Sequence, residues 1–201
     1  MRYEKGRKDA SRQRIMDAAA ERFRSDGIAA TGLAAVMADA GMTNGAFYPH
    51  FQSKADLVRE TMISVMDRQA EDLRKLIADG GIEAAIAFYL SPEHRDNPAI
   101  GCSFAALLPE LARQPLEART AYADHFLAMM REVAAALPKD TPDPEAAALS
   151  VYATFIGALQ LARAAEGTDL SDRILAVGRD AARALAHGNP LHPQHAAHHH
   201  G

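Results

Sequence analysis

With 201 residues, 48% hydrophobic content, a net charge of −4 and one cysteine, the chain has ample material for a buried core. It can form no internal disulfide and is too acidic to coat nucleic acid generally. No stretch approaches the length of a membrane span or has the basic-then-apolar form of a signal peptide, so a cytoplasmic protein without a membrane partner is expected.

The charge is uneven. Residues 1–60 hold ten Lys/Arg against eight Asp/Glu, and the remainder holds twelve against eighteen. Most of the positive charge of residues 1–60 lies in Arg2, Lys5, Arg7, Lys8, Arg12 and Arg14, before and at the start of a first helix. Two readings stand for this segment: a flexible basic arm that follows phosphates or enters the minor groove, and a solvated terminus without a contact. Within the first helix Ile15, Ala19 and Phe23 recur every four residues, the core stripe of a small helical domain.

Thr31 is expected to N-cap a second helix whose apolar positions are Leu33, Val36, Met37 and Ala40. Gly41 ends that helix, since a residue without Cβ takes the left-handed conformation of a tight C-terminus, and Met42 turns back to the core. Thr43 is expected to cap a third, short helix from Asn44 to about Tyr48, closed by Pro49. Two capped helices around a tight turn make a helix-turn-helix. Its exposed face is expected to comprise Thr43, Asn44, Ala46, Phe47 and Tyr48. Asn44 can pair with adenine in two hydrogen bonds, Ala46 and Phe47 can touch a thymine methyl, and Gly45 allows close backbone approach. Tyr48, His50 and Lys54 suit phosphates, with Lys54 following Ser53, the expected N-cap of the next helix.

On these residues the chain resembles the TetR family of bacterial transcriptional regulators. The matching pattern is a first helix from Arg14 to Gly27, then Thr31, Gly41, Met42, Thr43, Gly45, Tyr48, His50, Phe51, Ser53 and Lys54, about the first third of the chain. Departures are Met37 where a smaller residue is common, Pro49 at a tolerant position, and Ala55 where an acidic residue usually helps to cap. They touch base preference and local stability, not a phosphate contact. The resemblance implies Thr31, Thr43, Asn44, Gly45, Ala46, Phe47, Tyr48, His50 and Lys54 as the DNA-binding set, a homodimer on a palindromic double-stranded operator, and a small-molecule effector that releases it.

From Lys54 the helical period continues through Val58, Met62, Val65, Gln69, Leu73 and Leu76, until Gly80-Gly81 stops it. A shorter helix from Ile82 to Leu90 is followed by a loop bracketed by Ser91-Pro92 and Asn97-Pro98. Further helices are expected from near Gly101 past Pro109, over Pro115 to Leu137, over Glu145 to Glu166 and over Leu170 to His187. No segment alternates with period two, so the fold class is all-α: a three-helix DNA-binding domain at 1–55, a helical ligand-binding and dimerisation domain at 56–187, and a His-rich tail at 188–201.

The last two helices are rich in Ala146, Ala147, Ala148, Ala153, Gly157, Ala158, Gly178, Ala181 and Ala182. Small faces suit either intrachain packing or, as the resemblance implies, a four-helix dimer interface. Phe88, Tyr89, Cys102, Phe104, Leu108, Tyr122, Phe126, Met129, Phe155 and Leu159 are the candidate lining for a small hydrophobic or aromatic effector, each weighed against a plain core role.

There is no Gly-rich phosphate loop, no metal-spaced Cys/His cluster in the folded region and no convincing pair of carboxylates, so an enzyme, a cofactor and a metal site are not expected. His94 and His125 read as solvent-facing or core-satisfied. The tail histidines could hold a transition metal loosely. Cys102 reads as a small buried hydrophobe rather than a reactive thiol, because no adjacent Lys or Arg activates it. Were it reactive, the alternative is an all-helical redox or small-molecule-binding protein without a DNA role.

Overall fold

The computed structural model describes residues 2–97 and 108–188. The expectations for Cys102, Phe104, the helix start near Gly101 and the tail from 189 onward lie outside the described residues. Among the described residues every regular element is helical: α1 (Arg2–Asp26), α2 (Leu33–Asp39), a 3-10 turn (Asn44–Ala46), α3 (Lys54–Tyr89) and α4 (Pro92–Asp96). A helical turn α5 at 108–111, α6 (Leu116–Ala135), α7 (Pro144–Ala164) and α8 (Asp169–Ala186) follow. The described residues form two compact units, one from 2–73 with 97 and 108–129, the other from 74–96 with 130–188.

In the first unit Ile15, Ala19 and Phe23 of α1 are fully buried. They share a core with Val36 and Met37 of α2, with Phe47 and Phe51, and with Leu57, Val58 and Met62 of α3. The helix begins at Arg2, not after a basic arm. Arg, Lys and Glu are good helix formers, and the single Gly6 costs only about 1 kcal/mol against alanine.

Gly41 takes φ +69°, and the Met42 and Gly41 amides donate to the carbonyls of Met37 and Ala38 at 2.9 and 3.0 Å, a Schellman closure of α2. α3 starts as expected, with Ser53 Oγ accepting from the Asp56 amide at 3.1 Å. Asp56 returns the favour to the Gln52 amide at 3.0 Å, supplying the acidic partner that Ala55 does not. Within α3 the non-helical torsions fall at Gly80 and Gly81, where the sequence pattern interrupts the helix.

In the second unit, residues expected as loop instead form α4. Pro92 opens it and Ser91 Oγ accepts from the His94 amide at 3.1 Å, so a capping hydroxyl and a proline at the first helical position nucleate a short helix. α7 packs on α8, with Ala148, Val151, Phe155, Leu159 and Ala162 buried on the first and Leu175, Gly178, Ala182 and Ala186 on the second; Gly178 meets Ala158, and Ser171 Oγ donates to the Ala162 carbonyl at 2.7 Å. By length and composition α7 could cross a membrane, which corrects the expectation that no stretch approaches that length. Its buried stripe is spent on core packing against α8.

The stripe Leu170, Ile174, Val177, Ala181 and Leu185 of α8 lies beside the buried one rather than on it, with Leu170 and Val177 more than half exposed. On α7 a row of exposed residues, Leu149, Ala153, Gly157 and Leu161, recurs every four positions. The small residues thus divide: Ala148, Ala158, Gly178 and Ala182 serve packing inside the chain, while Ala153 and Gly157 face outward.

Candidate nucleic-acid interface

The turn between α2 and α3 interleaves buried and exposed residues. Thr43, Asn44 and Gly45 are exposed and Tyr48 is 72% exposed, whereas Phe47 and Phe51 are buried. The expected third α-helix is one turn of 3-10 helix; Pro49 has no N–H to continue the bond series, and a separate turn follows in which the Phe47 carbonyl accepts from the His50 and Phe51 amides at 2.9 and 3.1 Å. Thr43 sits at its N-cap position with extended backbone but makes no side-chain capping bond. Gly45 has neither a positive φ nor a neighbour within 4 Å of a built Cβ, so nothing in the fold asks for glycine there. Its bare backbone is a place for close approach from outside.

Two expected contacts are corrected. Phe47 stacks on Phe51 with ring centres 5.5 Å apart and belongs to the core, out of reach of a base. Thr31 is 3% exposed, and its hydroxyl donates to the Gly27 carbonyl at 2.7 Å. Gly32, not Thr31, occupies the N-cap position of α2. Ala46 is partly buried against the core.

His50 is half-buried, and its Nδ1 is buried with no hydrogen-bond partner. Burial first, then the charges of Lys8 and Arg12, hold its pKa below the usual histidine value. The ring is therefore neutral at pH 7, with one N–H to donate to a phosphate. Lys8 and Arg12, one turn apart on α1, belong to the basic segment for which a phosphate-following arm is one of the two readings. The Arg12 guanidinium lies 4.9 Å over the Phe51 ring and reaches Glu60 at 2.7 Å. Lys54 Nζ lies 3.5 Å from the Ala29 carbonyl, a contact that uses one of the three donors of its ammonium. The arrangement presents donors and cations around one exposed, nearly backbone-bare turn.

The candidate effector residues fall in both units. In the first, Tyr122 and Phe126 of α6 stack at 5.7 Å, Met129 is buried and Leu108 half-buried. In the second, Tyr89 stacks on Phe155 at 4.6 Å, Leu159 is fully buried, and Phe88 is 52% exposed. His94 is core-satisfied: its Nδ1–H donates to the Tyr89 carbonyl at 2.7 Å, and burial pushes its pKa down. His125 Nδ1 is 2.8 Å from the Ala121 carbonyl. Among the described residues no group of three or more His, Cys, Asp or Glu is placed to hold a metal.

Residues 15–61 match the family model for bacterial regulatory proteins, tetR family. No curated protein matches the chain. Among solved structures it resembles NemR of E. coli in its reduced form (TM-score 0.69, 18% identity, 85% of this chain and 96% of that one). It also resembles the transcriptional regulator FadR of Bacillus subtilis in complex with stearoyl-CoA (0.66, 17%, 88% and 98%). A third likeness is to the regulatory protein TetR of Rhodobacter sphaeroides (0.64, 22%, 84% and 97%). Residues 15–61 thus belong to the tetR family of bacterial regulatory proteins, and the chain that carries them has the fold of that family's solved regulators.

Proposed function

We propose that the chain is a non-enzymatic, cytoplasmic transcriptional repressor that binds a palindromic operator as a homodimer and is released by a small hydrophobic molecule. Residues 1–55 read DNA, residues 56–187 sense the effector and dimerise, and 188–201 is a His-rich tail. The observation that carries the reading is the exposed Thr43-Asn44-Gly45 turn, anchored from beneath by Phe47 and Phe51 and flanked by Tyr48, His50 and Lys54. Dimerisation is supported by the outward apolar faces of α7 and α8, Leu149 and Leu161 on one and Leu170 and Val177 on the other. Two-fold symmetry supplies the second reading turn that one turn alone lacks. The effector class is supported by the aromatic groups Tyr89 with Phe155 and Tyr122 with Phe126, and by the stearoyl-CoA bound to the B. subtilis protein of similar fold.

Selection of bound fragments from a random DNA pool tests the reading. Lys54→Ala should weaken binding alike across operators and reduce the magnitude of the salt slope by about one unit. Asn44→Ala should relax base preference by about 1–3 kcal/mol if its pairing is bidentate. Unchanged affinity in both variants, with the dimer intact, refutes it.

A further inference from the structure

Glu110 bonds to a residue 81 positions earlier in the chain. Its Oε2 accepts from the Ala29 amide at 2.8 Å, in the turn that joins α1 to α2. Its Oε1 lies against Gly27, where an added Cβ would fall 2.5 Å from it. Gly27 stands at φ +84°, so the residue that makes the turn also clears the space the carboxylate occupies.

Ala29 is held on its other side as well, since its carbonyl faces Lys54 Nζ at 3.5 Å. One side chain from α5 and one from α3 therefore hold the two successive peptide groups that flank the Ala29 Cα. Glu110 is itself well supported: Leu111 is buried, Gln114 Nε2 donates to the Glu110 carbonyl at 3.3 Å, and the Ala112, Arg113 and Gln114 amides close turns on Leu108, Glu110 and Leu111. Beside the contact lies an open cleft of about 280 Å³ lined by Ile28, Lys54, Val58 and Arg113 among others. Truncating Glu110 removes a hydrogen bond at the cleft edge without excavating a core.

We infer that Glu110 is a positioning residue for the DNA-reading segment. It fixes the α1–α2 turn, and with it Lys54 and the entry to α2, from outside residues 15–61, and so couples operator binding to the state of the 108–114 turn. This rests on the DNA-binding reading above. The coupling is reciprocal: what the 108–114 turn does to operator affinity, the operator does to that turn. Whatever displaces the turn loosens Ala29 and withdraws one of its two anchors.

The test uses the full chain, an operator selected from a random pool by the wild type, and amide hydrogen exchange. Operator binding should alter exchange at 108–114 in the wild type and cease to do so in Glu110→Ala. In that variant amides at 27–31 should exchange faster, and operator affinity should fall about tenfold with base preference unchanged, the scale of one charge-assisted hydrogen bond. Glu110→Gln, whose amide oxygen can still accept from Ala29, should bind within about twofold of the wild type. If operator binding leaves 108–114 unmoved in the wild type, or if Glu110→Ala binds as the wild type does, the coupling is wrong while the DNA-binding reading stands. A wild type that retains no DNA from the pool overturns both. The wild-type exchange measurement needs no variant to fold.

Discussion

Replacing Gly178 by alanine puts a methyl group where α8 meets α7. A Cβ there would lie 2.7 Å from the Ala158 Cβ and 3.2 Å from Leu90 Cδ1, against an optimum of about 3.5–4.0 Å for carbon pairs. An alanine Cβ has no torsion with which to give way, so the helices must part by about 1 Å at this level. Overpacking of this kind costs roughly 1–3 kcal/mol, and alanine recovers roughly 0.8–1.0 kcal/mol of helix propensity over glycine. The expected net is a loss of about 1 kcal/mol, or about 2–4 °C in Tm for a chain of this size. In an Ala158→Gly background the opposing methyl is gone and the Leu90 methyl can rotate aside. There the same substitution should stabilise, by up to about 1 kcal/mol. Urea unfolding at one fixed protein concentration, followed by circular dichroism and by exchange of α7 and α8 amides, reads both backgrounds. A Gly178→Ala effect of the same sign with and without Ala158 would refute the close approach.

Phe47→Ala should cost roughly 3–5 kcal/mol of stability, as expected for a buried aromatic, and leave the base preference of residual binding unaltered. A small stability loss with altered preference would return Phe47 to the reading face. For His94 the folded-state pKa is lowered by burial, so between that value and an unfolded value near 6.5 the unfolded chain holds more protons. Stability is complete above about pH 6.5 and drains as pH falls through that window. His94→Gln should flatten this slope in urea titrations between pH 7 and 5, and an unchanged slope would show that the histidine is not held neutral. Leu161→Glu with Val177→Glu should change monomer stability by about 0.5 kcal/mol or less each, being exposed, yet shift the chain to monomers in analytical ultracentrifugation. An unchanged sedimentation profile removes this face as the dimer seat.

The elements legible from sequence were those set by local rules. The four-residue recurrence of Ile15, Ala19 and Phe23 fixes a buried face, Gly41 announces a left-handed helix end, and Gly80-Gly81 breaks a run that periodicity would otherwise extend. Thr31 misled because a threonine hydroxyl can satisfy the carbonyl four residues before it as well as an amide after it, and here Gly27 wins. Phe47 misled because a one-turn helix changes its facing with its pitch, and 3-10 geometry turns the ring inward. On α8, apolar residues occupy two adjacent stripes, and spacing alone does not say which one the neighbouring helix covers. The same ambiguity runs through the candidate effector lining: periodicity marks Phe88 and Leu159 alike, yet one is half exposed and the other fully buried. The Glu110 contact with Ala29 has no sequence signal at all, since it joins positions 81 apart through a backbone amide that any residue other than proline would offer.

The alternation along residues 43–51 separates two kinds of mutational freedom. Thr43, Asn44 and Gly45 face solvent, while Phe47 and Phe51, a few residues on, are buried in the core. Drift at the first three costs the free protein little, because exposed substitutions away from special contacts shift stability by about 0.5 kcal/mol or less. On the proposed reading of this turn, a lineage carrying it can wander among operators without passing through unfolded intermediates. The fold then tolerates change in the positions proposed to meet DNA, and resists it at the aromatic anchors that keep those positions presented.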